Sequence, residues 1–195
     1  MMLIILVTIF IIIIMGIGIG IISFNLNINV GKRNILAYHL NKGDLFLNSG
    51  YYDKAIREYK KVIEMDSNSA LAHNNLAAAY ILKGLYDEAI KEYNNALKIT
   101  PNYKEALNGL GVAYGRKGMY EESIKASLKA IEIDPDYADA HNTLGTTYFL
   151  NGMYKEAIEQ YEETLRIDPN HKGTRKNIEK AKEKLEQKKK NGFQQ

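Results

Sequence analysis

From residue 36 to residue 171 the apolar positions recur with the period of an amphipathic helix. Leu76, Ala77 and Tyr80 stand at spacings of one, three and four, and Ala89, Tyr93 and Ala96 repeat the four-then-three spacing, so each set shares one helical face. Small side chains at Ala77, Ala89 and Ala96 let two helix axes close up, while Tyr80 and Tyr93 fill the remaining gaps. This arrangement recurs. The only three prolines, Pro101, Pro135 and Pro169, are 34 residues apart, and the same interval relates Gly50, Gly84, Gly118 and Gly152, then Tyr52, Tyr86, Tyr120 and Tyr154, then Ile56, Ile90, Ile124 and Ile158. Four residue types in one register make this stretch four copies of one unit, 36–69, 70–103, 104–137 and 138–171. Within a unit the glycine accepts the left-handed conformation that ends the first helix, and the proline cannot continue the second. The expected path is helix, tight turn, helix, tight turn, repeated.

Ahead of this body, Leu3 to Phe24 contains no charged residue, and its 22 residues make a helix of about 33 Å, near the thickness of a bilayer's hydrocarbon core. The glycines in IIIIMGIGIGIISF therefore belong to a membrane-length run; a dinucleotide loop would need a preceding strand and a following amphipathic helix. No Lys or Arg precedes the run, which also exceeds the apolar region of a signal peptide. Residues 1–24 accordingly read as one uncleaved transmembrane helix, with a cleaved signal as the alternative. Lys32 and Arg33 on its C-terminal side favour an outside N-terminus and a cytoplasmic body. Gly16 and Gly20 form a small-xxx-small pair that offers anchor dimerisation, although glycine is common in membrane helices without it. Residues 25–35 read as a linker.

Charge changes the picture at the other end. Residues 172–195 hold nine Lys/Arg against Glu179, Glu183 and Glu186, so this end is +6 and the rest of the chain is −3. Within it Ile178, Ala181 and Leu185 share one face, which suits residues 172–190 to a basic capping helix over the last apolar surface, with 191–195 as a tail. No aromatic residue interleaves the lysines and no nucleic-acid motif is present, so no nucleic-acid partner is expected. The chain has no cysteine, hence no disulfide, thiolate metal site or thiol nucleophile. His39, His73 and His141 occupy equivalent places, with Leu107 in the third unit. Packed helices lie about 8–10 Å apart whereas metal–nitrogen bonds are near 2 Å, so the row reads as packing, with no metal or cofactor. No nucleophile–base arrangement, zinc-protease motif or phosphate loop occurs, and no enzyme is expected.

The units LAHNNLAAAYILKGLYDEAIKEYNNALKITPN and ADAHNTLGTTYFLNGMYKEAIEQYEETLRIDPN resemble tetratricopeptide repeats, whose 34-residue pattern carries Leu-Gly/Ala, Tyr, Gly, Tyr, Ala, Tyr, Ala and Pro at matching offsets. The resemblance covers 36–171 and implies an all-α, right-handed solenoid of four repeats plus the capping helix. Units one and three depart from the pattern. The first has Lys42 where Leu76, Leu110 and Leu144 stand elsewhere and Ser67 where proline is expected; the third has Ser123 and Ser127 in place of Ala89 and Tyr93. Those serines either open a slot or leave space that a neighbour fills.

By the same resemblance the first helices line a concave groove that binds protein segments. The lining maps onto Asn74, Asn75, Ala78, Ile81 and Leu82 in unit two and Asn108, Val112, Gly115 and Arg116 in unit three. In unit four it maps onto Asn142, Thr143, Thr146, Phe149 and Leu150. Asn74, Asn108 and Asn142 recur at one place, and their amides suit either the backbone of an extended peptide or a bond to the neighbouring helix. The two-carboxylate clamp by which some family members hold chaperone C-termini is not matched: Leu40, Glu105 and Gly109 stand at its basic positions and only Asn75 agrees. The whole reads as a membrane-anchored adaptor whose groove captures a protein segment. The alternatives are a chaperone-like assembly or import factor and, if the N-terminus is cleaved, a soluble extracytoplasmic binder.

Overall fold

The small residues of the pattern decide how closely the helices approach, and they are among the most deeply buried of the described residues. The structure is a computed structural model and describes residues 30–192, which form nine helices with no strand among them. They are α1 (30–48), α2 (Tyr52–Met65), α3 (Ala70–Leu82), α4 (Tyr86–Ile99) and α5 (Lys104–Arg116), then α6 (Tyr120–Ile133), α7 (Ala138–Leu150), α8 (Tyr154–Ile167) and α9 (Thr174–Gly192). Each helix from α2 onward packs on the next, and the first helices of successive units, α3 with α5 and α5 with α7, also touch. The result is a solenoid.

Ala55, Ala77, Ala89, Ala96, Ala113, Ala130, Ala140 and Ala157 are completely buried. Into the contacts they permit, the second helices insert a tyrosine. A Cβ placed on Gly43 would sit 2.4 Å from the Tyr59 ring, one on Gly109 2.3 Å from Tyr93, and one on Gly145 2.8 Å from Tyr161. The rings thus lie directly on backbone.

Each first helix in the repeats ends the same way. Gly50, Gly84, Gly118 and Gly152 have φ of 78°, 76°, 77° and 73°. At Gly84 the glycine N–H donates to the Ile81 carbonyl and the Leu85 N–H to the Tyr80 carbonyl, both at 2.9 Å. This paired bonding satisfies carbonyls that the helix leaves open.

The histidines each bond within the body. His39 Nδ1 lies 2.6 Å from Glu58 Oε2, His73 Nδ1 lies 2.6 Å from Glu92 Oε2, and His141 Nδ1 lies 2.9 Å from Gln160 Oε1. Each pair ties a first helix to the second helix of its own unit. In unit three Leu107 and Ala126, both buried, hold the two places, so the polar pair is replaced as a pair. The irregular first unit keeps a core between α1 and α2: Tyr59 and Ala55 are wholly buried, and the Lys42 ammonium lies 5.3 Å from the Tyr38 ring centroid and 3.6 Å from Glu58. A long stem lets that lysine replace leucine's carbons while its charge finds a partner.

At the C-terminal end, α9 packs on α8 through Ile178 and Ala181 and turns its lysines outward. It runs to Gly192, past the expected end at 190. The helical backbone of α1 already begins at residue 30, inside the segment read as a linker. No proline intervenes there, and a lone Gly31 only weakens a helix. The expected anchor over 1–24, with Gly16 and Gly20, lies outside the described residues. Among the described residues no helix is long and apolar enough to cross a membrane.

Two predictions follow from these contacts. Gly84→Ala forces a side chain into the left-handed region at a cost of about 1–2 kcal/mol, which a thermal melt should register as a fall of roughly 2–8 °C in Tm. At Glu58, burial works against ionisation, but bonds from His39 and Lys61 outweigh it and hold the carboxyl below its ordinary 4.5. A lowered folded value contributes stability above the unfolded pKa and loses it as pH falls through the folded one. Glu58→Gln should therefore lower Tm at pH 7, and the gap should narrow as pH falls below the ordinary 4.5 and through the lowered folded value.

Candidate functional site

The three equivalent asparagines of the first helices have different surroundings. Asn74 Nδ2 donates to Asn75 Oδ1 at 3.1 Å, and Asn75 Nδ2 donates to Asp44 Oδ1 at 3.1 Å. Asp44 Oδ1 also accepts from the Tyr59 hydroxyl at 2.6 Å, so one polar chain joins α2, α1 and α3. Asn142 Oδ1 accepts from Thr174 Oγ1 of α9 at 3.4 Å. Asn108 Oδ1 is buried and has no partner among the described residues. Nearby, burial first and then the Asp139 and Glu105 carboxylates push the Tyr137 hydroxyl up to about 12, so it stays a neutral donor at physiological pH.

Between the first helices α5 and α7 lies a cleft of about 290 Å³. Seven of the expected lining residues meet there: Val112, Gly115 and Arg116 from α5, and Asn142, Thr143, Thr146 and Leu150 from α7. The remaining expected residues lie elsewhere. Ile81 packs against the core shared by units two and three, and Leu82 is exposed at the end of α3. Phe149 stacks beside Tyr154, 5.5 Å between centroids, against the α7–α8 core. Asn74, Asn75 and Asn108 are half-buried but outside the cleft.

Two substitutions within the repeat account for the opening. Gly115 stands where Leu47, Ile81 and Phe149 stand in the other units, and Ser127 stands where Tyr59, Tyr93 and Tyr161 do. Gly111 lines the cleft, and a Cβ there would meet Ser127 Oγ at 2.7 Å, so the serine lies immediately behind it. The Ser123 hydroxyl donates to the Gly111 carbonyl at 2.7 Å and lies 2.7 Å from Thr147 Oγ1. Ser127 Oγ is buried with no partner. Periodicity flagged both serines, but the parts played by Gly111 and Thr147 depend on α5 and α7 coming side by side.

Comparison with known proteins agrees with this architecture. A model described as TPR repeat matches residues 43–84 and 79–118, and one described as tetratricopeptide repeat matches 105–170. No curated protein matches the chain. Among solved structures, one of the MamA protein is 31% identical, covers 77% of this chain and 82% of its own, and has a TM-score of 0.65. The Sgt2 TPR domain from Aspergillus fumigatus is 27% identical over 62% of this chain and 82% of its own, with a TM-score of 0.59. PilF of Pseudomonas aeruginosa, at 23% identity, shares the fold with a TM-score of 0.72 over 80% of this chain and 72% of its own.

The two serines should separate cleanly in denaturant melts. Ser123→Ala removes a buried hydroxyl bonded on both sides, while Thr147 keeps its bond to the Thr143 carbonyl, so the loss is about 0.5–1.5 kcal/mol. Ser127→Ala removes a hydroxyl that bonds nothing and should leave stability unchanged or raised.

Proposed function

Because the chain belongs to the tetratricopeptide repeat family, we propose that it is a protein-interaction scaffold that captures an extended protein segment in the groove formed by α3, α5 and α7. The observation that carries this reading is the cleft between α5 and α7, lined by polar and apolar side chains together. Asn142, which lines the cleft, supplies an amide that can pair with the backbone of an extended segment. The apolar lining contributed by Val112 and Leu150 supplies contact area beside that polar register.

The scaffold works at a membrane surface, held by residues 3–24, whose uncharged length matches a bilayer core. Anchoring confines both scaffold and captured segment to a thin layer, which raises their effective concentration toward membrane-bound clients without any new contact. The groove reading needs no catalytic residue, and the body contributes shape and hydrogen bonds only.

Two experiments test the two halves of this proposal. Full-length protein carrying Asn74→Ala, Asn108→Ala and Asn142→Ala, purified from native membranes in mild detergent, should keep its helical circular dichroism yet lose the partners that co-purify with the unaltered chain; retention of all of them would move binding away from the groove. In alkaline carbonate washes the full chain should stay with the membrane pellet, and a chain lacking residues 1–29 should be released.

A further inference from the structure

The cleft in unit three occupies the place where the repeat ordinarily seats its own aromatic ring, and we infer that it receives an aromatic side chain, flanked by a carboxylate, from the bound protein segment. This rests on the groove reading above and names the chemistry of its ligand.

Repeat symmetry locates the missing ring. In units one and four the tyrosine lies on Gly43 or Gly145, and its hydroxyl bonds the next residue of the first helix, Tyr59 to Asp44 Oδ1 at 2.6 Å and Tyr161 to Thr146 Oγ1 at 3.2 Å. The residues equivalent to those contacts in unit three are Gly111 and Val112. Both line the cleft. A ring at residue 127 would therefore lie where there is now space, and in its absence Ser127 Oγ is left fully buried without a hydrogen bond.

Size and charge narrow the occupant. A volume of about 290 Å³ falls at the lower limit of small-molecule pockets and suits one large side chain better than a cofactor. An aromatic ring contributes large contact area for few frozen rotations, and its polar edge suits the mixed Val112, Thr146 and Leu150 surroundings. Arg116 lies at the rim, exposed, with no hydrogen bond or ion pair to another described residue. It is the one charged residue among the lining. A carboxylate next to the ring would pair with it and fix the register of the segment. Glu105, which would repel that carboxylate, sits at the opposite end of α5, about 16 Å away at helical rise.

The probe is the peptide acetyl-Glu-Tyr-Glu-amide, titrated into methyl-labelled full-length protein in detergent micelles and followed by NMR. The methyl signals of Val112 and Leu150 should shift and saturate at millimolar peptide. Binding should be lost with acetyl-Glu-Ala-Glu-amide and weakened about tenfold with acetyl-Lys-Tyr-Lys-amide, whose charges repel Arg116. Ser127→Tyr, which restores the ring of the other units, should fold at least as stably and abolish the shifts. Gly115→Leu, which fills the cleft from the other side with the residue found at Leu47, should do the same. Absence of shifts in the unaltered protein, or equal shifts in both filled variants, would overturn the inference. Co-purification distinguishes the two levels of failure. Partners kept by Ser127→Tyr but lost with the triple asparagine variant would sink the aromatic slot and leave the groove, whereas partners kept by both would sink the groove and the slot together.

Discussion

The solenoid depends on helix axes coming close enough for side chains to lie on backbone. Completely buried alanines set the separation, and glycines at 43, 109 and 145 receive tyrosine rings that any Cβ would strike. A closely packed interior tolerates little change in volume, so this one contact determines which residues each repeat position accepts. The capping glycines, the histidine pairs and the chain direction between helices all adjust to it. Lys42 illustrates the point: the site accepts a lysine because its stem fills the volume and its ammonium can leave for Glu58 and the Tyr38 ring.

Because each unit touches chiefly its neighbours, a departure in one unit stays local. Unit three departs most. Its histidine pair has become Leu107 and Ala126, its ring has become Ser127, and a large apolar side chain has become Gly115. The helices nevertheless keep the spacing of the other units, with Ser123 bridging α6 to α5 and α7 by hydrogen bonds where others use hydrocarbon. Space that a side chain would have filled is left open on the side of the groove. The place where the packing rule is relaxed is thus also the place with room for a ligand.

What could be read from the chain was whatever repeats. The 34-residue interval gives the helix pairs and the glycine turns, because a left-handed residue is a local requirement that one amino acid meets best. The apolar face of α9 was legible from Ile178 and Ala181 for the same local reason. Partners across the solenoid were not. Asn74 and Asn142 share a position, but one bonds Asn75 and the other meets Thr174, 32 residues away in sequence. The two serines raised a slot as one of two alternatives, but its walls did not follow from them, since Ser127 and Gly115 lie on different helices and open one space only when α5, α6 and α7 are assembled. Phe149 shares its repeat position with Ile81 and Gly115 yet stacks on Tyr154, a contact specific to unit four.

The two ends of the array are unlike, and this gives it a direction of growth. At the C-terminal end α9 spends its only apolar stripe on α8 and shows lysines to the outside, so a further unit finds no surface to stack on. At the other end α1 leaves Ile35, Tyr38 and Leu45 at least half uncovered. Duplication of a repeat within the gene could therefore lengthen the row of first helices only upstream of α9, where each new unit would still find an apolar face to stack on.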